Sequence, residues 1–81
     1  MSDAVEEKVL AFIREMKPQH AKSIASDTDL IGSGILDSLA VLQLVMFISK
    51  QFAVKLPARD VTPANLKSVA TIAKVVEARR A

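Results

Sequence analysis

Very few side chains in this sequence could take part in covalent chemistry. A serine nucleophile needs a base within hydrogen-bond reach, and the single histidine, His20, lies in an early loop rather than beside Ser38. The stretch 32–34 places a serine between two glycines, but it lacks the spacing and strand context of a nucleophile elbow. We therefore predict no catalytic residue in this chain.

Metal binding is also poorly supported by the sequence. There is no cysteine, and the close pair Asp27 and Asp29 is the best carboxylate cluster. Counted from Asp27 as an EF-hand loop, the sixth position is Gly32 as required, but the twelfth is Ser38 instead of glutamate. We predict no metal site, and interpret both aspartates as turn-capping, solvated loop residues.

The composition indicates one small helical domain. A chain of 81 residues has room for a single core, so we expect one domain over 1–81. Hydrophobic residues make up 51%, which excludes a disordered chain, and two glycines with three prolines favour helices over short strands. The charged N-terminus lacks a signal core, and the longest apolar region, 35–48, is too short and interrupted to span a membrane. We expect a soluble, cytoplasmic protein.

Charge is distributed unevenly along the chain. Residues 1–37 carry seven acids and four bases, whereas residues 38–81 carry two acids and seven bases. A basic half is one signature of nucleic-acid binding. Because these bases are scattered and not interleaved with aromatic residues for base stacking, we expect a solvated surface and no nucleic-acid partner.

Two amphipathic helices and a long connection account for the first two thirds of the chain. Apolar spacing predicts a helix over 3–17 that stops before Pro18. The connection 18–37 is long enough to let the next helix run in nearly the same sense as the first. We expect it to be ordered by apolar anchors at Ile24, Leu30, Ile31, Ile35 and Leu36.

The second predicted helix, 38–52, is apolar over more of its circumference than one core face needs. Helical spacing predicts an inward stripe of Val41, Leu44, Val45, Ile48 and Phe52. Other large apolar residues lie outside that stripe, namely Leu39, Leu42, Met46 and Phe47. A small domain cannot bury a helix all round, so we expect an exposed apolar patch here.

The last third of the chain contains two further helix starts. Thr62 followed by Pro63 is typical of an N-cap, and predicts a short third helix at 63–67. Ser68 is positioned to cap a last helix whose inner face is Val69, Ile72, Ala73 and Val76. The fold class is therefore all-α, with three main helices, a short third one, and a long loop between helices 1 and 2.

Ser38 is a candidate functional residue because of its position between these elements, and not because of the chemistry of its neighbours. Taken alone, Asp37 or Ser38 is simply a helix cap. Yet a long loop ends at this point and a broadly apolar helix begins. The run 34–39 in this position resembles the attachment motif of acyl and peptidyl carrier proteins, and the likeness continues through Asp29-Leu30, Phe52, Leu56-Pro57, the stretch 62–66 and the helix start 68–72.

The resemblance implies a four-helix carrier-protein bundle of the stand-alone type. It also implies that Ser38 accepts 4′-phosphopantetheine from coenzyme A, with Asp37 and Leu39 completing the attachment motif. A helix N-terminus favours the phosphate of such an arm. Implied partners are a phosphopantetheinyl transferase, an adenylate-forming acyl or aminoacyl ligase, and a downstream acyltransferase, ketosynthase or condensation enzyme. We expect a monomer that is a substrate of these enzymes.

The second helix departs from the carriers of fatty acid synthesis, which place carboxylates along it. This helix has no Asp or Glu after Ser38. We therefore predict docking through apolar contacts, and a role in specialised polyketide or nonribosomal peptide synthesis. Primary fatty acid synthesis and an unmodified helical interaction module are the alternatives. The predicted docking residues are Ala40, Val41, Leu42, Met46 and Phe47.

Overall fold

The structure is a computed structural model that describes residues 3–80 and the side chains of residues 4–80. Three α-helices form it: α1 (Asp3–Met16), α2 (Ser38–Phe52) and α3 (Val69–Arg80). Short 3-10 helices lie at Pro18–Ser23 and Ala58–Asp60, and the described chain contains no strand. The predicted all-α fold class is confirmed. Over this same range, no helix is long and apolar enough to cross a membrane.

Helix α1 presents one apolar face to the core and stops where the sequence predicts. Val5, Val9 and Ile13 recur every four residues and are fully buried. The backbone N–H of Lys17 donates to the carbonyl of Ile13 at 2.9 Å, and Pro18 then prevents another turn. This face packs mainly against α3.

The connection between α1 and α2 is ordered, as predicted. Its apolar anchors Ile24 and Leu30 are almost completely buried. The guanidinium of Arg14 donates twice to the carbonyl of Ile24, at 2.7 and 3.1 Å, which ties the connection to α1. The backbone N–H of Leu30 donates to the carbonyl of Lys67 at 2.6 Å, tying it to the start of α3.

The long connection would let α1 and α2 run in nearly the same sense, but the two helices do not. The Lys17 ammonium at the end of α1 lies 3.5 Å from the carboxylate of Asp37, which precedes α2. Further along, the rings of Phe12 and Phe47 stack with centroids 4.2 Å apart. The two helices are therefore antiparallel neighbours. The connection buries apolar side chains along its length, and its two ends lie close together. Helix α2 therefore begins near the end of α1.

The predicted short helix at 63–67 is a single turn in the structure. Thr62 caps it as predicted, since its Oγ1 accepts the N–H of Asn65 at 3.2 Å, and the Leu66 N–H donates to the Thr62 carbonyl at 3.0 Å. No second turn follows, because Leu66 is drawn into the core and Ser68 already caps the next helix. The short 3-10 helix Ala58–Asp60 precedes this turn.

Helix α3 begins with a reciprocal cap, so the prediction for Ser68 is confirmed. The Thr71 N–H donates to Ser68 Oγ at 3.2 Å, and the Ser68 N–H donates to Thr71 Oγ1 at 3.0 Å. The predicted inner face is also confirmed, and its four residues are buried: Val69, Ile72, Ala73 and Val76.

Candidate functional site

The start of α2 is fixed by Asp37, which takes the N-cap position. Its backbone is extended, with φ −95° and ψ −177°, and its Oδ1 accepts the N–H of Ala40 at 2.8 Å. Its carbonyl accepts the N–H of Val41 at 2.9 Å, the first bond of the helix. Of the two capping residues that the sequence left open, Asp37 is therefore the cap, and Ser38 is the first residue of the helix.

The chain just before Ser38 is held by a turn and by two core residues. Gly34 adopts φ +81°, a conformation that glycine takes without strain. Ile35 and Leu36 follow it and are buried, and the Leu36 N–H donates to the carbonyl of Leu30 at 3.0 Å. With the preceding residues anchored inward, Asp37 and Ser38 emerge at the surface.

Ser38 has an exposed side chain, and its hydroxyl makes no hydrogen bond to any other described residue. At the first position of α2, its own N–H and that of Leu39 have no partner within the helix. The positive end of the helix dipole favours an anion at this point. The local structure thus presents a hydroxyl oxygen that is not hydrogen-bonded to any other described residue and that another protein can reach.

His20 does not supply a base to this serine in the described structure. It lies in the 3-10 helix Pro18–Ser23 with an exposed side chain. Its backbone is used in local turns, and none of the described hydrogen bonds joins its ring to Ser38. These two residues therefore do not form a serine–histidine pair in the described structure.

The carboxylate of Asp37 is held in its charged form. The N–H of Ala40 lowers its pKa most, and the ammonium of Lys17, 3.5 Å from Oδ2, lowers the pKa further. Both contacts favour the anion. A full negative charge therefore lies beside Ser38 at neutral pH.

Two apolar grooves flank α2 on opposite sides of its exposed surface. The first, the serine groove, has a volume of about 480 Å³ and is lined by Ser38, Val41, Leu42, Val45, Leu56, Ala58 and Val61. The second, the α1–α2 groove, has a volume of about 530 Å³ and is lined by Phe12, Glu15, Met16, Gln43, Met46, Phe47 and Lys50. The exposed surface of α2 lies between the two grooves.

The five predicted docking residues separate into three environments. Leu42 and Met46 are exposed by 56% and 63%, as a docking surface requires. Val41 is half-buried in the wall of the serine groove, and Phe47 is half-buried in the α1–α2 groove, where its ring stacks on Phe12. The inclusion of Ala40 was wrong, because its side chain is 2% exposed and packs in the core.

The sequence placed Leu39 in the attachment motif and in the exposed apolar patch, but not among the predicted docking residues. Its side chain is 64% exposed. Together with Leu42 and Met46 it forms a stripe at positions i, i+3 and i+7 of α2, which we call the α2 ridge. That spacing was available in the sequence as a second apolar stripe, parallel to the core-facing one.

Of the two aspartates in the long connection, Asp27 has an exposed side chain and Asp29 caps a turn. Asp29 Oδ1 accepts the N–H of Gly32 at 2.8 Å, which is the turn-capping role predicted for it. A Cβ at Gly32 would collide with this carboxylate. Within the described part of the chain, no three His, Cys, Asp or Glu side chains come together as a metal site.

A comparison with protein-family models matches residues 7–76 to the phosphopantetheine attachment site family. The chain belongs to this family. A comparison with curated proteins found no match. The family match begins within α1, includes all of α2 and ends within α3, so the resemblance to carrier proteins is confirmed.

Family membership establishes the class of activity. The domain is a carrier and not an enzyme, and its cofactor is covalently attached 4′-phosphopantetheine. Its partners belong to the general classes of phosphopantetheinyl transferases and biosynthetic enzymes. The start of α2 fits such a group, because it combines an exposed, unbonded serine hydroxyl with unpaired helix N–H groups.

Proposed function

We propose that Ser38 is the residue of this carrier that bears 4′-phosphopantetheine, with Asp37 and Leu39 completing the motif that the transferase reads. The observation that carries this proposal is the exposed hydroxyl of Ser38 at the first position of α2, without an internal partner among the described residues. When bound, the arm supplies a thiol that holds acyl or aminoacyl groups as thioesters. The chain itself has no cysteine that would compete for them.

The attachment step asks little of the carrier itself. The Ser38 oxygen forms a bond to phosphorus, its proton passes to a base of the transferase, and the nucleotide part of coenzyme A leaves. The carrier contributes the position of the oxygen. Asp37 fixes that position by capping the Ala40 N–H, and keeps its second oxygen at the surface, where the transferase can contact it.

We expect intact-mass measurements to show this modification. The protein is incubated with coenzyme A and a phosphopantetheinyl transferase of broad specificity, and should gain the mass of one phosphopantetheine. Ser38→Ala should abolish the gain. Ser33→Ala is the matched control, since Ser33 is also exposed and lies five residues earlier. An unmodified native chain would contradict the proposal and favour the interaction module.

The α2 ridge supports the second part of the proposal, which is apolar docking. Its three exposed side chains begin next to Ser38, so an enzyme that receives the arm also covers them. Lys50 is the only charged residue within α2, and the helix carries no carboxylate for a basic partner. Apolar side chains then supply the affinity, while charge contributes little steering.

We further propose that the partners are an adenylate-forming acyl or aminoacyl ligase and the acyltransferase, ketosynthase or condensation enzymes of specialised biosynthesis. The absence of carboxylates on α2 supports this over primary fatty acid synthesis. The test offers the modified carrier to such ligases and to the malonyl transferase of fatty acid synthesis. Preferred loading by the malonyl transferase would contradict the specialised role and leave the attachment at Ser38 unaffected.

A further inference from the structure

Lys17 occupies a constrained position between α1 and the long connection. Its backbone N–H donates to the Ile13 carbonyl at 2.9 Å, and its carbonyl accepts the His20 N–H, also at 2.9 Å. Its side chain is largely covered, with 22% exposed. The backbone is bonded on both sides, and the side chain places its ammonium group 3.5 Å from Oδ2 of Asp37, at the start of α2.

The partner of Lys17 at that entrance is only loosely held. The Nζ–Oδ2 distance to Asp37 is 3.5 Å, and the Asp37 side chain is 60% exposed. The other carboxylate oxygen, Oδ1, is already engaged by the Ala40 N–H. A single 3.5 Å ion pair with a largely exposed carboxylate contributes little to stability, so little is lost if Lys17 turns to another acceptor.

Attachment at Ser38 creates that other acceptor. A phosphodiester carries one negative charge and two unshared oxygens, and Ser38 directly follows Asp37. The two neighbouring anions repel each other. An ammonium group has three N–H donors, so it can bind both anions or move from the carboxylate to the phosphodiester. The structure places no other cation in an ion pair with the residues at the start of α2, within the described range.

We propose that Lys17 binds the phosphodiester on Ser38, taking it in place of the Asp37 carboxylate once the arm is attached. This inference rests on the proposed attachment at Ser38. Lys17 then acts as a positioning residue for the root of the arm, drawing it toward the α1 side of the α2 ridge. Two other cations, Lys55 and Arg59, adjoin Leu56 and Ala58 of the serine groove in the sequence, and neither lines that groove.

The test uses the full chain in its phosphopantetheinylated form and two NMR readouts. The first is the ³¹P chemical shift of the phosphodiester. Lys17→Met should shift this resonance, Lys17→Arg should retain most of the wild-type value, and Lys55→Met should leave it unchanged. Lys55→Met is the matched control because it removes the same charge from an exposed residue that makes no described ion pair with Asp37.

The second readout is the ¹⁵N–¹H signal of the Lys17 ammonium group. We expect its hydrogen exchange to slow and its shift to change when the unmodified protein is converted to the modified one. A ³¹P shift that is equally insensitive to both lysine substitutions, on a protein whose mass shows modification, would overturn the role of Lys17 alone. A protein that never gains mass would overturn the attachment at Ser38 and this inference together.

Discussion

The two long faces of α2 consist of similar residues in opposite surroundings. On the inner face, Ala40, Leu44 and Ile48 are at most 2% exposed, whereas the three residues of the α2 ridge are each more than half exposed. Burial of an inner leucine stabilises the fold by the free energy of its transfer from water. The ridge gains nothing comparable within the folded chain, and its exposed apolar character supports the docking role proposed for it.

Apolar character alone does not distinguish the residues of a small carrier that stabilise the core from those available to contact a partner. Leu42 and Leu44 are the same residue type, two positions apart, and point to opposite sides of the helix. Substitutions that are identical in chemistry should therefore have different consequences. Leu42 and Leu44 form one such matched pair.

The largest effect on stability should follow from Leu44→Ala. Removing a fully buried leucine side chain from the core costs about 3 kcal/mol through lost burial and the cavity left behind. In a domain of this size, that lowers Tm by roughly 10–25 °C. Thermal unfolding followed by circular dichroism measures it.

The matched control for this prediction is Leu42→Ala on the α2 ridge. Because Leu42 is 56% exposed, we expect a change within about 0.5 kcal/mol. Equal losses of stability in the two variants would contradict the division of α2 into a core face and an exposed face.

An intermediate effect is expected from Ala40→Leu, which tests the correction made to the docking set. A larger side chain at this buried position must displace core neighbours, at a cost of about 1–3 kcal/mol. Denaturant unfolding gives the change, and Ser49→Leu, at an exposed position of the same helix, is the control. An Ala40→Leu variant as stable as the native chain would contradict the burial of Ala40 in the core.

A smaller and pH-dependent effect is expected from Asp37→Ala. The pKa of Asp37 is lowered in the folded state, mainly by the Ala40 N–H. Its contribution to stability is therefore complete above the unfolded pKa of about 3.9, and is lost as the pH falls through the lower folded pKa. The Tm difference from the native chain should be present at neutral pH and shrink toward pH 2.

The control for this prediction is Asp37→Asn, which keeps a capping oxygen without the charge. A native Tm advantage that grows on acidification would contradict the assigned cap. So would an Asp37 carboxyl that titrates above its ordinary range in a ¹³C NMR titration.

The smallest effect on stability, and the one confined to partners, is expected from Met46→Glu. Stability should change by no more than about 0.5 kcal/mol, since Met46 is 63% exposed. Covering an unpaired carboxylate in an apolar contact should reduce turnover by a partner ligase about tenfold. Met46→Leu should preserve turnover. Normal loading of Met46→Glu would remove the α2 ridge from the docking surface.

Local signals in the sequence predicted the helices well. The bounds of α2, the stop of α1 before Pro18 and the cap at Ser68 depend on residues within one turn of each other, and the structure confirms them. The single turn at 62–66 was overestimated as a helix, because the pull of the core on Leu66 is not visible in the capping pattern.

Features that depend on distant parts of the chain could not be predicted in the same way. The antiparallel arrangement of α1 and α2 follows from how the long connection packs, and the length of that connection is compatible with either sense. The burial of Ala40 beside an exposed Leu39 depends on where α1 and α3 lie. The ion pair between Lys17 and Asp37 joins residues 20 positions apart that carry no shared pattern.

The most direct test of the central claim is to locate the attached group within the chain. After treatment with coenzyme A and a transferase, trypsin releases the peptide 23–50, which contains five serines: Ser23, Ser26, Ser33, Ser38 and Ser49. Fragmentation of this peptide by tandem mass spectrometry should place the whole phosphopantetheine mass on Ser38. Localisation to any other serine, or an unmodified peptide, would contradict the account.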